Sequence, residues 1–162
     1  MDYAILTTMP KLKSKIYLDT SVISVYDDSR IPQRQSQTRD FWKILKNFKT
    51  CISEVTINEI NNSPNIAKKK QLLNLASKFQ ILKITDQVKN LASEYIKKKI
   101  IPARYIDDAL HLAIATINNC DILVSWNCKH LINLRTKREA NKINLAMGYK
   151  EIELVEPPMV KL

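Results

Sequence analysis

Short apolar runs alternate with longer stretches of helical spacing along most of the chain. Runs of this kind are typical of buried strands, and they predict strands at residues 15–19, 50–53, 79–84, 121–125 and 152–155. Strands that alternate with helices form a parallel sheet with helices on both faces. The sequence therefore predicts an α/β fold, a three-layer α/β/α sandwich around a mainly parallel sheet of about four to five strands.

The segments between these strands carry apolar residues at the spacing of amphipathic helices. They predict helices at residues 35–48, from residue 54 to near Pro64, and at residues 66–77, 86–99, 105–118 and 129–145. The polar stretch at residues 26–37 predicts a loop before the first of them. The helix at residues 105–118 is apolar nearly all round, so we expect it to be buried on most sides.

The domain organisation follows from length and composition. A chain of 162 residues with 45% hydrophobic and 26% charged residues is typical of one folded globular domain. We place a single domain at residues 15–156, after a flexible N-terminal leader at residues 1–14 and before a C-terminal tail at residues 157–162. The leader contains Met9, which can itself serve as a start.

The chain carries a strong excess of positive charge. Lys and Arg number 26 against 16 Asp and Glu, which gives a formal charge of +10. Such an excess favours an anionic partner such as nucleic acid, although it also serves simple solubility. Two basic stretches, residues 30–39 and 129–138, flank the acidic edge described below and can hold phosphates without reading sequence.

Cysteine and glycine usage exclude several classes of protein. The cysteines, Cys51, Cys120 and Cys128, are odd in number and lack C-x-x-C spacing, which predicts reduced thiols and a cytoplasmic location. The apolar runs are too short for a membrane span and no signal-peptide pattern is found, so we expect no membrane association. The single glycine, Gly148, excludes a glycine-rich loop that cradles phosphates.

Acidic residues stand where the chain leaves the predicted sheet. Asp19 ends the first strand, and Glu59 lies on the helix after the second strand. Asp107 and Asp108 open the apolar helix. The carboxyl ends of parallel strands are where such folds place their functional crevice.

Carboxylates buried together repel one another unless a cation joins them. Mg²⁺ or Mn²⁺ prefers these oxygen ligands, so the pattern predicts hydrolysis of a phosphodiester bond by a metal-activated water.

Each acid also has a structural explanation when it is taken alone. Asp19 can cap the helix that follows it, and Glu59 can be a solvated helix residue. Either aspartate of the apolar helix can be a favourable charge at a helix N-terminus. The joint occurrence of these acids after successive strands favours the functional explanation.

The residues near the fourth strand complete the set of candidates. Ser125, Asn127 and His130 are expected at the same edge; Asn127 can offer an amide oxygen and His130 can donate to a phosphate. Trp126 can stack on an unpaired base, although a packed tryptophan is the commoner case. His111 lies on the apolar helix and is predicted to be a packed core histidine rather than a ligand.

Four sequence segments carry a family resemblance. They are residues 16–23 (IYLDTSVI), Glu59, residues 107–115 (DDALHLAIA) and residues 122–127 (ILVSWN). In order and spacing they resemble the motifs of PIN-domain ribonucleases, in particular the VapC-like toxins of type II toxin–antitoxin systems. The resemblance extends over residues 15–156 and implies a PIN-like fold.

The resemblance implies roles for individual residues. Asp19, Glu59 and Asp108 take the places of the catalytic acids that bind Mg²⁺ or Mn²⁺. Asp108 is chosen over Asp107 because the acid of the family motif directly precedes Ala-Leu, and successive helical side chains point in different directions. Contacts to these acids or to the substrate phosphate are implied for Thr20, Asp107, Ser125, Asn127 and His130. Many relatives carry a further acid where this chain has Asn127, so we expect weaker metal binding; this disfavours a second metal site and leaves the choice between one and two ions open.

The implied activity is that of a metal-dependent endoribonuclease, the toxin of a toxin–antitoxin pair. The implied partners are RNA as substrate, a cognate antitoxin and a second copy of the chain in a homodimer. Three alternatives stay open. The missing acid allows a PIN-like protein that binds RNA without cutting it, three carboxylates also suit a DNA nuclease or another phosphohydrolase, and the basic charge suits an interaction module.

Overall fold

The structure is a computed structural model that describes residues 12–162. Its strands are β1 (Lys15–Leu18), β2 (Lys49–Ser53), β3 (Gln80–Leu82), β4 (Ile122–Val124) and β5 (Glu153–Val155). Its helices are α1 (Thr20–Val25), α2 (Pro32–Ile44), α3 (Glu54–Asn61), α4 (Ile66–Ala76), α5 (Asp86–Lys97), α6 (Ile106–Ile117) and α7 (Leu134–Ala146). Short 3-10 turns occur at Leu45–Asn47, Ala103–Tyr105 and Pro157–Met159.

The five strands form one parallel sheet in the order β3-β2-β1-β4-β5. Tyr17 of β1 is in register with Cys51 of β2 on one side and with Leu123 of β4 on the other. The chain adds β2 and β3 on one side of β1 and then returns to add β4 and β5 on the other. The strand order therefore reverses at β1 and β4, whose carboxyl ends open the crevice typical of such sheets.

Hydrophobic clusters cover both faces of the sheet. On one face, α5, α6 and α7 pack over side chains that include Tyr17 and Leu123. On the other face, α1 to α4 pack over Ile16, Leu18 and Val124. Successive strand residues point to opposite faces, which is why β1 contributes to both clusters. The three-layer α/β/α sandwich predicted from the sequence is confirmed.

Two helices begin clearly away from their predicted starts. The helix α2 begins at Pro32, inside the stretch predicted to be a loop, because proline suits a first helical position where no N–H is needed. The helix α7 begins at Leu134 rather than at residue 129. Asn133 caps it by accepting a hydrogen bond from the Thr136 backbone N–H at 2.8 Å, and the preceding residues form a turn.

The segments outside the predicted domain are described only in part. The predicted leader at residues 1–14 lies outside the described residues except for residues 12–14. After β5, Pro157–Met159 form a 3-10 turn that packs against α2, and Val160 is buried. None of the helices described between residues 12 and 162 is long and apolar enough to cross a membrane.

Candidate active site

Asp19 stands directly after β1, at the point where the strand order reverses. Its carboxylate caps α1 by accepting a hydrogen bond from the Ser21 backbone N–H at 3.1 Å. The other carboxylate oxygen accepts from the Ser125 hydroxyl at 2.6 Å, on the segment that follows β4. Asp19 is only 4% exposed. Its carboxylate is therefore fixed between the ends of β1 and β4.

The environment of Asp19 disfavours its negative charge. Burial raises the pKa of Asp19 above its usual value, and the nearby carboxylate of Glu59 adds to this effect. The charge of His111 and the hydrogen bonds from Ser125 and Ser21 act in the opposite direction without cancelling it. A cation beside Asp19 would offset both the lost hydration and the repulsion from Glu59.

Glu59 reaches the same edge from α3, the helix that follows β2. Its Oε1 accepts a hydrogen bond from the Thr20 hydroxyl at 2.9 Å and lies 2.5 Å from Nε2 of His111. Burial alone would raise the pKa of Glu59, but the hydrogen bond and charge of His111 lower it. Burial alone would lower the pKa of His111, but Glu59 raises it. The two side chains therefore form an ion pair, and Oε2 of Glu59 accepts no hydrogen bond from the residues that the structure describes.

His111 connects Glu59 to the core through contacts that the sequence did not predict. It is buried, as predicted for a core histidine, yet both ring nitrogens have polar partners. Its Nδ1 lies 2.6 Å from the Tyr17 hydroxyl, which lies 2.7 Å from the Ser53 hydroxyl at the start of α3. A buried chain of polar contacts thus connects the core to Glu59. One sequence signal was available: His111 comes three residues after Asp108, on the same face of a helix.

Asp107 and Asp108 occupy the first turn of α6 with different exposure. Asp107 is exposed, whereas Asp108 is half-buried. Burial raises the pKa of Asp108, and the charge of Asp19 adds to this effect. The Asn127 side chain and the charges of His111 and His130 oppose the rise without cancelling it. Asp108 therefore shares an electrostatic environment with Asp19, while Asp107 stands at the rim.

The segment after β4 organises the edge through short polar contacts. Ser125 is buried, and its hydroxyl accepts a hydrogen bond from the Asn127 backbone N–H at 2.8 Å while it donates to Asp19. Oδ1 of Asn127 accepts from the His130 backbone N–H at 3.1 Å. The segment therefore couples the position of Asn127 to Asp19 on one side and to His130 on the other.

Trp126 is packed, in line with the commoner of the two predicted cases. It is 7% exposed, and its indole N–H donates to the Thr38 hydroxyl at 2.9 Å. The Arg34 guanidinium lies 5.1 Å from the centre of its ring. Trp126 therefore presents no open face on which an unpaired base can stack.

The three acids offer oxygen ligands of the kind that a divalent cation prefers. Among residues 12–162, no three His, Cys, Asp or Glu side chains are grouped closely enough to hold a metal ion. The chemistry of the donors fits a hard cation: they are carboxylate oxygens, and Asp19 and Asp108 have raised pKa values. Mg²⁺ also keeps several waters and uses only one or two carboxylates. Asp19, Glu59 and Asp108 therefore stay the predicted ligands.

Comparison with known proteins identifies the family. The family model of the PIN domain matches residues 16–127, so the chain belongs to the PIN domain family. No curated protein matches the chain significantly. The matched segment begins in β1 and ends just after β4, and it contains Asp19, Glu59 and Asp108.

Several solved structures share the fold at low sequence identity. VapBC2 from Rickettsia felis, bound to a promoter DNA fragment, is 16% identical with a TM-score of 0.57, over 88% of this chain and 98% of that chain. A toxin–antitoxin complex from Klebsiella pneumoniae is 16% identical with a TM-score of 0.54, over 75% and 93%. VapC20 from Mycobacterium tuberculosis, a sarcin–ricin loop cleaving toxin, is 12% identical with a TM-score of 0.54, over 85% and 98%.

Proposed function

We propose that this chain is a metal-dependent endoribonuclease that hydrolyses phosphodiester bonds of RNA. The observation that carries the proposal is the position of Asp19, Glu59 and Asp108 at the carboxyl edge of the sheet in a PIN-domain chain. The formal charge of +10 supports a polyanionic substrate. A structural neighbour, VapC20, is itself described as a toxin that cleaves the sarcin–ricin loop.

The three acids act together in this proposal. Asp19, Glu59 and Asp108 would hold one Mg²⁺ or Mn²⁺ ion, one or two of them directly and the rest through water molecules that the ion keeps. When bound, the ion lowers the pKa of the attacking water and neutralises charge that grows on the phosphate. The serine hydroxyls around Asp19 and the imidazole beside Glu59 keep two of the carboxylates oriented before substrate arrives. No covalent nucleophile from the protein is needed.

Basic and polar residues near the acids contact the substrate backbone. Asn127 and His130 lie on the segment that faces Asp108, and we assign them to a phosphate oxygen. Lys129 is exposed between them. Lys and Arg side chains hold phosphates without reading sequence, so the affinity for RNA falls as salt rises.

The chain is further proposed to be the toxin of a toxin–antitoxin pair. Two of the structural neighbours are toxin–antitoxin complexes, which supports a cognate antitoxin as a partner. A homodimer and a cytoplasmic location belong to the same proposal, and the free thiols Cys51, Cys120 and Cys128 are compatible with a reducing compartment.

A PIN-like protein that binds RNA without cutting it is the second candidate. It is favoured by Asn127, an uncharged residue beside Asp108, and by the lack of a three-residue metal cluster among the described side chains. Fewer negative charges weaken the affinity for a divalent cation. In this case the basic surface would bind RNA while hydrolysis would be slow or absent.

Cleavage assays distinguish these candidates. Structured RNAs, DNA of the same sequences and small phosphoesters are incubated with purified protein in Mg²⁺, Mn²⁺ or EDTA. We expect RNA cleavage that requires metal and is lost in an Asp19→Asn, Asp108→Asn double variant, which also controls for a contaminating ribonuclease. RNA binding without cleavage in any metal would favour the second candidate, and preferential cutting of DNA or phosphoesters would refute the assignment of RNA.

A further inference from the structure

Three planar side chains stack at the edge of the candidate active site. The centres of the Tyr105 and His130 rings are 4.0 Å apart, with 32° between the ring planes. The Arg104 guanidinium lies 4.9 Å from the centre of the Tyr105 ring. Arg104 is exposed, and the two rings are half-buried. We call Arg104, Tyr105 and His130 the planar rim.

The planar rim is held in place by both segments that carry it. The backbone N–H of Tyr105 donates to the Pro102 carbonyl at 2.9 Å, which closes the 3-10 turn before α6. The carbonyl of His130 accepts from the Thr136 hydroxyl at 2.9 Å, and its backbone N–H donates to Asn127. The stack is therefore a formed feature of the fold rather than a chance contact of two long side chains.

The planar rim lies on the two segments that also position the acids. Tyr105 is the residue before α6, whose first turn contains Asp108. From the other side, the His130 backbone N–H donates to Asn127, whose own backbone N–H donates to the Ser125 hydroxyl that contacts Asp19. A nucleotide whose phosphate lies at Asp108 would have its base within reach of these planar groups.

Other aromatic groups of the described residues are poorly placed for this role. Trp126 is packed beneath Arg34. Trp42 stacks between Tyr26 and Phe79, a cluster built from the end of α1, from α2 and from the start of β3. That cluster includes the amino end of a strand, whereas the acids stand at the carboxyl ends.

We propose that the planar rim is a stacking subsite for an unpaired nucleobase of the substrate. Aromatic rings and guanidinium planes bind single-stranded bases by stacking, and the positive charge of Arg104 adds attraction for a phosphate. This inference rests on the proposed function and deepens it: a base next to the bond that is cut is held at the planar rim. A continuous duplex keeps its bases stacked inside and offers none to the rim.

The test measures binding in EDTA, so that it does not depend on cleavage. The probe is a short single-stranded RNA with one 2-aminopurine, whose fluorescence is quenched when the base stacks on an aromatic ring. We expect Tyr105→Ala to weaken binding about tenfold and to abolish the quenching, and Tyr105→Phe to preserve both. Arg104→Gln changes an exposed side chain and should weaken binding by a smaller factor. Tyr149→Ala, at a half-buried tyrosine that contacts Gln87, is the matched control.

The outcomes separate this proposal from the proposed function. If Tyr105→Ala is folded by circular dichroism and binds the RNA with unchanged affinity and quenching, the stacking subsite is refuted even where the protein cleaves RNA. If Tyr105→Ala unfolds, the parent and Arg104→Gln are compared instead. The proposal is refuted if the parent does not quench the probe and Arg104→Gln binds the RNA with unchanged affinity. Loss of binding in Tyr105→Ala supports the subsite whether or not cleavage is found, and tight binding to a duplex that depends on Tyr105 contradicts it.

Discussion

Nε2 of His111 lies 2.5 Å from Oε1 of Glu59. The opposite ring nitrogen of the same histidine lies 2.6 Å from the Tyr17 hydroxyl, inside the core. The orientation of a candidate metal ligand is therefore set by a buried tyrosine on the central strand. Partners of this kind, which hold the ligands of a metal rather than the metal itself, commonly change metal affinity when they are removed.

Removal of the Tyr17 hydroxyl tests this connection. Tyr17→Phe leaves Nδ1 of His111 without its partner, so we expect a loss of stability of about 1–3 kcal/mol and a fall in Mn²⁺ affinity of up to about tenfold. Tyr95→Phe is the matched control, because it also removes a buried hydroxyl, one that contacts Asn144 and Thr116 away from the acids. Chemical denaturation and Mn²⁺ titration give the two quantities. Equal Mn²⁺ affinities in both variants would contradict the connection.

The metal-free protein should tolerate the loss of one acid. Burial raises the pKa of Asp108, so the ionised carboxylate costs stability in the folded state at neutral pH. Asp108→Asn removes that cost while it keeps the shape of the side chain. In EDTA we expect a free energy of unfolding equal to or higher than that of the parent. A clear destabilisation would assign Asp108 a structural role instead.

Unlike Asp108, Asp121 is expected to stabilise the fold in its ionised form. It directly precedes β4, at the edge of the sheet opposite the acids. Although partial burial opposes it, hydrogen bonds from Lys150 and from the Lys15 backbone N–H, each at 2.7 Å, lower the pKa of Asp121. A lowered pKa stabilises the fold above the unfolded value of about 3.9, and this stability is lost as pH falls through the folded pKa. Because Asp121 is 44% exposed, we expect Asp121→Asn to cost only about 1 kcal/mol at pH 7.

Denaturation at several pH values checks this prediction. The difference in unfolding free energy between the parent and Asp121→Asn should be largest near neutral pH and should shrink in acid. Asp107→Asn, at an exposed aspartate near the acids, serves as the control. A difference that stays constant as pH falls would show that the charge of Asp121 contributes nothing.

The strands and the acidic edge could be predicted because their signals are local. Asp19 directly follows an apolar run, and the pattern of such runs fixes which edge it faces. The contacts of His111 could not be predicted in the same way. Its contact to Tyr17 joins residues 94 positions apart, and it depends on how α6 packs over β1. The sequence of an apolar helix with one histidine does not show whether the histidine only packs in the core or also forms an ion pair with a carboxylate.

The segment after β4 also could not be predicted fully from local sequence patterns. The sequence predicts a helix at residues 129–145, but Asn133 caps α7 and leaves a turn before it. That turn is what brings His130 against Tyr105. The packing of Trp126 could be predicted, because its contact with Thr38 follows the commoner behaviour of a tryptophan next to a strand.

Mn²⁺ titration followed by electron paramagnetic resonance tests the central claim, that three acids form one cation site. The parent is compared with Asp19→Asn, Glu59→Gln and Asp108→Asn. Glu54→Gln is the control, because Glu54 lies on the same helix as Glu59 but accepts from the Ile84 backbone N–H. We predict one site in the parent, an affinity at least about tenfold lower in each of the three variants, and an unchanged affinity in Glu54→Gln. No bound Mn²⁺ in the parent, or equal affinities in all variants, would contradict the account.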